Sequence, residues 1–390
     1  MRTTLRPLAV LAAALLVAGM ASSTAIDPVG AAPNVTITEF AQGISGNTSG
    51  VAAGPDGKVW FTEYTASRIG SITSDGVVTE YPLLSSEHPS GIVAGPDGNL
   101  WFTVQTTVLD ETSCDVVSGQ DWIGRITPDG VITKFDTLNP NAGPDGITVG
   151  PDGELWFAQR GYLCAQGTVV GGGGIGRSTT DGTLSQFTPG FDPQGGLSSI
   201  TTGPDGNLWF TFLYDQVVGR MTPSGTVDTF PLTSTEFAGG ITSGPDGNLW
   251  FTVPRTNSAV ASMTTAGEIT YHRDGLPADA SPTFITAGPD GALWYTDAVT
   301  NQVGQVTTAG AITTYDQGIT AGSNPWGIAT GSDGHLWFSS INADLMSRLA
   351  IAATPPSTTT TTSAPTTTTT PATPITPAAV PVPGTPTYTG

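Results

Sequence analysis

The stretch Gly-Pro-Asp-Gly-Asn-Leu-Trp-Phe-Thr occurs three times unchanged, at 95–103, 203–211 and 244–252. Near-copies begin at Gly54, Gly150, Gly288 and Gly331. The opening glycines fall at 54, 95, 150, 203, 244, 288 and 331, so successive copies are 41, 55, 53, 41, 44 and 43 residues apart. A period of 40–50 residues holding several short strands predicts a β-propeller. Within one unit, GIVA reads as the innermost strand, NLWFT as the second, IGRIT as the third and VITKF as the outermost. Seven copies predict seven four-stranded blades. The last unit lacks an outermost strand, while NVTITEF near the N-terminus looks like the outermost strands VVTEY, VITKF and AITTY. Ile37–Phe40 is therefore expected to complete blade seven and close the ring.

An Asp- and Gly-rich loop used seven times is either a ligand site or scaffold. In Pro-Asp-Gly, Pro presets φ, Asp caps the turn and Gly takes the left-handed conformation. A calcium loop needs several oxygen ligands close together, and this one supplies a single carboxylate. The turn between third and outermost strands drifts from Asp75-Gly76, Asp129-Gly130 and Asp181-Gly182 to Ser224-Gly225, Ala266-Gly267 and Ala309-Gly310. A turn tolerates that drift, so the repeat reads as scaffold. Seven of the nine tryptophans, one per copy, read as fillers between blades. The two outside the repeat are Trp122 and Trp326.

Two units are longer than the rest, through insertions between their second and third strands. Each insertion carries one of the two cysteines, Cys114 and Cys164. Equivalent loops of adjacent blades emerge on one face, which in an exported protein predicts a disulfide. Export is read from the N-terminus. Arg2 and Arg6 flank a short basic start, and an apolar run from Pro7 to Met20 is too short to span a bilayer. Residues 1–25 are expected to form a signal peptide, with 32 as the alternative end. Residues 34–351 are expected to form the propeller, and 352–390, rich in Thr and Pro, a disordered tail that is an O-glycosylated segment, a wall-spanning stalk associating the protein with the envelope, or an unmodified solubilising tail. The formal charge of −20 excludes a phosphate backbone as partner.

The pattern G-P-D-G-x-L-W-F-T followed by I-G-R-I-T-x-x-G-x-I-T-x-F, over residues 36–351, resembles the streptogramin B (virginiamycin B) lyase family. The resemblance implies a seven-bladed propeller. It also implies Mg²⁺-assisted β-elimination at the ester of a cyclic depsipeptide, with histidines in P-H-x-I segments of blades six and seven and a glutamate after the W-F of blade seven. Here those places hold Thr283, Trp326 and Ile341. Asn324 stands where a second glutamate is implied, and Ser49 near an implied tyrosine. Of the three histidines, His335 falls on the opposite face and His272 on an outermost strand, leaving His88 on the implied face.

The fold expected is all-β, a seven-bladed β-propeller closed by its N-terminal strand. The function expected is a secreted, monomeric, non-catalytic binding module that takes a small molecule, a peptide or an envelope glycan at the channel mouth. Glu63, His88, Arg160, Arg255, Asp297 and Trp326 are the binding residues, with Glu63 and Asp297 as solvated acids at the mouth. No cofactor is expected under this reading. The alternative is a Mg²⁺-dependent carbon–oxygen lyase, or a hydrolase on the same scaffold, with relocated catalytic groups.

Overall fold

The computed structural model describes residues 33–352 apart from 111–112, 165–166, 189–194, 234–235 and 256. The expected signal peptide and almost all of the Thr/Pro-rich tail lie outside the described residues. Seven four-stranded antiparallel sheets follow one another as blades. In blade two the strands run His88–Ala94, Leu100–Gln105, Trp122–Ile126 and Ile132–Asp136, from innermost to outermost. Innermost strands of successive blades pack on one another around the axis. No described helix is long and apolar enough to cross a membrane.

Ring closure follows the sequence. Val35–Phe40 pairs antiparallel with Met346–Ile351, Val35 opposite Ile351 and Phe40 opposite Met346, and completes the sheet of Pro325–Thr330 and Leu336–Ser340. Phe40 stacks on Trp337 at 5.5 Å between ring centroids.

Every repeat tryptophan is fully buried. Trp60, on the second strand of blade one, packs against Ile92, Leu100 and Phe102 of blade two. Trp294 of blade six meets Ile328 and Leu336 of blade seven in the same way. On its own blade each indole stacks against a ring on the outermost strand, such as Tyr81 under Trp60 and Phe135 under Trp101. The indole N–H is buried too, and a buried donor without a partner costs about 1–3 kcal/mol. The aspartate of the turn four residues earlier accepts it in all seven blades, at 3.0 Å for Asp56–Trp60, 2.9 Å for Asp205–Trp209 and 3.2 Å for Asp333–Trp337. The same oxygen of Asp205 takes the Asn207 N–H at 3.2 Å. Burial alone would raise the Asp205 pKa, but the bonds from Trp209 and Asn207 outweigh it and hold the carboxyl below its ordinary value. The glycine of I-G-R-I-T is explained by close approach: a Cβ at Gly124 would sit 2.2 Å from the Phe102 ring.

Cys114 and Cys164 form the expected disulfide, with Cα atoms 5.7 Å apart across a separation of 50 residues. It ties the inserted hairpin Val108–Leu109/Val116–Ser118 of blade two to Tyr162–Leu163/Val169–Val170 of blade three. By chain entropy such a link is worth up to about 4 kcal/mol.

Two predictions follow from the tryptophan layer. Asp205→Ala leaves the Trp209 N–H buried and unpaired, so denaturant unfolding should show a loss of about 1–3 kcal/mol. His272 occupies the outermost ring position of blade five, stacked 5.1 Å from Trp250, and burial lowers its pKa from 6.5. The unfolded chain then takes up this proton more readily than the folded one. Stability from this site is complete above about pH 6.5 and is lost as pH falls through the folded pKa. His272→Tyr should remove that part of the acid sensitivity of the melting temperature.

Candidate binding site at the channel mouth

One residue per blade stands at the start of each innermost strand, where the P-H-x-I resemblance places its histidines: Ser49, Ser90, Asp145, Ser198, Gly239, Thr283 and Trp326. The ladder to the second strand is irregular just there, for example between Pro89 and Ile92 and between Pro144 and Ile147. The carbonyls of six of these residues have fixed partners. Thr62 Oγ1 donates to Ser90 O at 2.7 Å and Thr103 Oγ1 to Asp145 O at 2.8 Å. Thr211 donates to Gly239 O, Thr252 to Thr283 O, Thr296 to Trp326 O and Ser339 to Ser49 O. Blade three has Ala158 at the donor position. The last residue of W-F-T is thus a blade-to-blade hydrogen bond that positions the mouth.

On the side of blades one to four the mouth carries a connected polar row. His88 opens the innermost strand of blade two. Its Nδ1 lies 2.9 Å from Tyr64 O, and its ring stacks on Tyr64 at 5.0 Å. Bonding to a carbonyl makes Nδ1 the donor, so in the neutral ring Nε2 is the acceptor. Tyr64 O–H reaches Gln105 Oε1 at 3.5 Å, and Arg160 Nη2 donates to the same oxygen at 3.2 Å. Arg160 Nη1 pairs with Asp145 Oδ2 at 3.4 Å. Ser90 Oγ donates to Asp145 Oδ1 at 2.7 Å and Ser198 Oγ to Oδ2 at 3.2 Å. Asp145 above all, then the phenols of Tyr64, Tyr214 and Tyr162, raise the Arg160 pKa. Burial raises that of Tyr64, with Asp145 and Asp121 opposing the pull of Arg160, so the phenol stays protonated.

The two insertions spring from this row, directly after Gln105 and at Arg160. Their bases are joined by Asp121, which is fully buried. Its Oδ1 accepts Thr106 N at 2.8 Å and Tyr162 O–H at 2.8 Å, and its Oδ2 accepts Gly143 N at 2.8 Å. The disulfide-linked hairpins therefore stand on a fixed footing beside the Gln105–Arg160 pair.

His88 and Arg160, both expected site residues, belong to one network. The two acids differ from expectation, because neither is solvated. Glu63 is fully buried: Ser45 N bonds its Oε2 at 3.3 Å, while Oε1 has no partner. Ser45 also bonds Glu80 at 2.7 Å through its backbone and 2.8 Å through its hydroxyl, and Arg68 approaches Glu80 at 3.4 Å. Burial first, then the neighbouring Glu80, pushes Glu63 up to about 8. Asp297 is 2% exposed because it caps a loop, taking Ser281 N at 2.8 Å, Val299 N at 3.1 Å and Thr300 N at 3.0 Å. A carboxylate that ends a strand under a tight loop is drawn to the loop's free N–H groups before it reaches water. Arg255 is exposed, at φ +71°, on a cleft of about 850 Å³ that includes Asp279, Ser281 and Thr300. Trp326 is half-buried, edge-on to Phe284 at 5.3 Å.

The resemblance implies Mg²⁺, which takes octahedral oxygen ligands, usually including one or two carboxylates. At the implied positions Thr283 and Asn324 supply one hydroxyl and one amide, and Ile341 supplies nothing. Thr283 Oγ1 already donates to Ser281 O at 3.1 Å. These residues do not fit the ion. Among the described residues no three His, Cys, Asp or Glu side chains converge as a metal set.

Sequence reading missed Tyr64, Gln105, Asp121, Asp145 and Tyr214. Asp145 was legible in principle. It lies in Pro144-Asp145-Gly146-Ile147, in register with Pro89-Ser90-Gly91-Ile92, but Pro-Asp-Gly is also the hairpin signature.

The Glu63 site carries a pH prediction. The unfolded chain loses this proton near 4.5 and the folded chain near 8. Its contribution is complete below 4.5 and lost progressively up to about 8. Glu63→Gln keeps the shape and neutrality of the protonated acid but cannot titrate. Its melting temperature relative to the parent should climb from pH 4.5 to 8; a constant offset would contradict the assignment.

Comparison with known proteins agrees with this geometry. The sequence profile described as the Virginiamycin B lyase family matches residues 165–370. The solved structure of virginiamycin B lyase from Staphylococcus aureus is 31% identical, with a TM-score of 0.70, covering 82% of this chain and 100% of that one. A catalytically inactive histidine-to-alanine variant of that enzyme with quinupristin gives the same values. Virginiamycin B lyase of Bordetella parapertussis is 40% identical over 53 residues, 14% of this chain and 17% of its own length. That match thus spans under a fifth of the curated relative. Taken with the seven blades, these matches show that the chain belongs to the virginiamycin B lyase family.

Proposed function

We propose that this chain is a non-catalytic extracellular binding module that holds its ligand at the channel mouth. The carrying observation is the set of residues at the family's implied reaction positions: Thr283, Asn324, Trp326 and Ile341. β-Elimination needs a base for an acidic proton and an electrophile for the developing negative charge. A threonine hydroxyl, an amide, an indole and an aliphatic side chain supply neither. The connected row from His88 to Asp145 supplies polar recognition with its groups already oriented, which favours binding. The inactive Staphylococcus variant obtained with quinupristin supports the separation of ligand capture from turnover in such a propeller. The disulfide and the N-terminal apolar run agree with export, and the Thr/Pro-rich segment would serve as a spacer to the envelope.

A second reading has one specific support. The Tyr64 carbonyl fixes the His88 ring with Nε2 as its acceptor, the state a general base needs. Both readings are tested by incubating the purified protein with a streptogramin B and Mg²⁺, followed by chromatography and mass spectrometry. Ring opening by elimination conserves every atom, so a product would appear as an isomer of unchanged mass at a new retention time. The expected outcome is unaltered antibiotic. An isomer that forms with the parent and vanishes with His88→Ala would establish the relocated lyase.

A further inference from the structure

We propose that the row formed by Tyr64, His88, Gln105, Asp145, Arg160 and Tyr214 is a subsite for a neutral pyranose oligosaccharide, an inference that rests on the binding reading above. Four observations converge on this ligand class.

The first is charge. Arg160 is matched by Asp145 at 3.4 Å, so the row offers no net charge to an ion. The chain as a whole carries −20, which repels polyanions, and the guanidinium in the row disfavours cations. A neutral ligand remains.

The second is the form of the polar groups. The amide of Gln105 is buried and anchors Arg160, while the carboxylate of Asp145 and the guanidinium of Arg160 are planar, paired and partly exposed. Such groups bind two neighbouring hydroxyls at once, each hydroxyl acting as donor and acceptor. They are held by one another, by Ser90 and Ser198, and by the bond from Gln105 Nε2 to Pro144 O at 3.0 Å. Little ordering remains to be done on binding. Arg160 retains 32% side-chain exposure and Asp145 17%, so both are open to a ligand.

The third is the aromatic pair. Tyr64 is 37% exposed and Tyr214 36%. They come from blades one and four: Tyr64 O–H reaches Gln105 at 3.5 Å, and Tyr214 packs over Gly196, two residues before the Ser198 that bonds Asp145. Gly196 lies directly beneath Tyr214: a Cβ there would stand 2.7 Å from the ring carbons. The electron-rich face of an aromatic ring attracts the C–H face of a sugar. Two such rings beside a row of planar polar groups suit a chain of pyranoses.

The fourth concerns peptides, the competing class. An extended peptide would need unpaired backbone groups or an apolar socket. The backbone of the row in blades two and three is already engaged: Ser90 O and Asp145 O accept threonine hydroxyls, and Gly91 N donates to Thr103 Oγ1 at 2.9 Å. The row itself contains no aliphatic side chain.

The test is calorimetric titration of the folded protein with cellohexaose, maltohexaose, mannohexaose and N-acetylchitohexaose, beside a pool of neutral tetrapeptides. At least one oligosaccharide should bind with a Kd below about 1 mM. Tyr64→Ala and Tyr214→Ala should each weaken it at least about tenfold, while Tyr64→Phe, which keeps the ring, stays within about threefold. His335→Gln, on the opposite face, should leave it unchanged. The proposal is overturned if no oligosaccharide binds a sample with the parent's melting curve, or if binding ignores both tyrosine variants. Tetrapeptide binding abolished by Tyr64→Ala, without sugar binding, would overturn the saccharide assignment and leave the binding module standing. The streptogramin assay separately decides whether that broader reading fails.

Discussion

A buried indole N–H needs an acceptor, and this requirement organises the propeller. Each blade brings a fully buried tryptophan to the next blade. The ring gives the interface its apolar area, but its nitrogen would be left without a partner there. The acceptor comes from the aspartate of the turn four residues earlier. One side chain therefore shapes the hairpin and satisfies the interface. Turn, strand and blade packing are coupled, and Gly-Pro-Asp-Gly-x-Leu-Trp-Phe is a single mechanical unit.

The threonine that follows extends the coupling to the channel. Its hydroxyl donates to the carbonyl at the head of the next innermost strand, and in Thr62 it also accepts Gly50 N at 2.8 Å. The repeat thereby fixes the backbone of the mouth residues and leaves their side chains free to differ. Serine, aspartate, glycine, threonine and tryptophan all occupy the same structural place. Changing them alters chemistry at the mouth without altering the ring that holds it.

This division explains what was legible in the sequence. The blades, the closure by Val35–Phe40 and the Cys114–Cys164 pair follow from local signals: a period, a strand missing from the last unit, and matched insertions in adjacent blades. The site followed less well, because it depends on neighbours from several blades. Glu63 and Asp297 end homologous strands and were expected to face water. Their fate was decided by what covers them, Ser45 and Glu80 for one and the loop at Val299 for the other. Tyr64 and Tyr214 lie in short loops with no pattern of their own. Their significance comes from Arg160, which the insertion of blade three brings to the mouth.

The same logic bears on the proposed binding role of this lyase-family scaffold. The mouth has two sides. On the side of blades six and seven, Thr283 and Trp326 stand at the implied histidine positions, and Trp326 packs edge-on against Phe284. On the side of blades one to four lie a salt bridge, the four further hydrogen-bonded polar side chains His88, Ser90, Gln105 and Ser198, and the two half-exposed tyrosines. The two longest insertions rise from that second side, pinned by Asp121 below and a disulfide above. Added chain and a covalent link beside Gln105 and Arg160 stiffen this surface, as the proposed recognition role requires, whereas proton transfer needs only a base and an acid within reach. The extra architecture thus stands where, under the proposed binding role, it would hold a ligand still, away from the positions where the family resemblance implies chemistry.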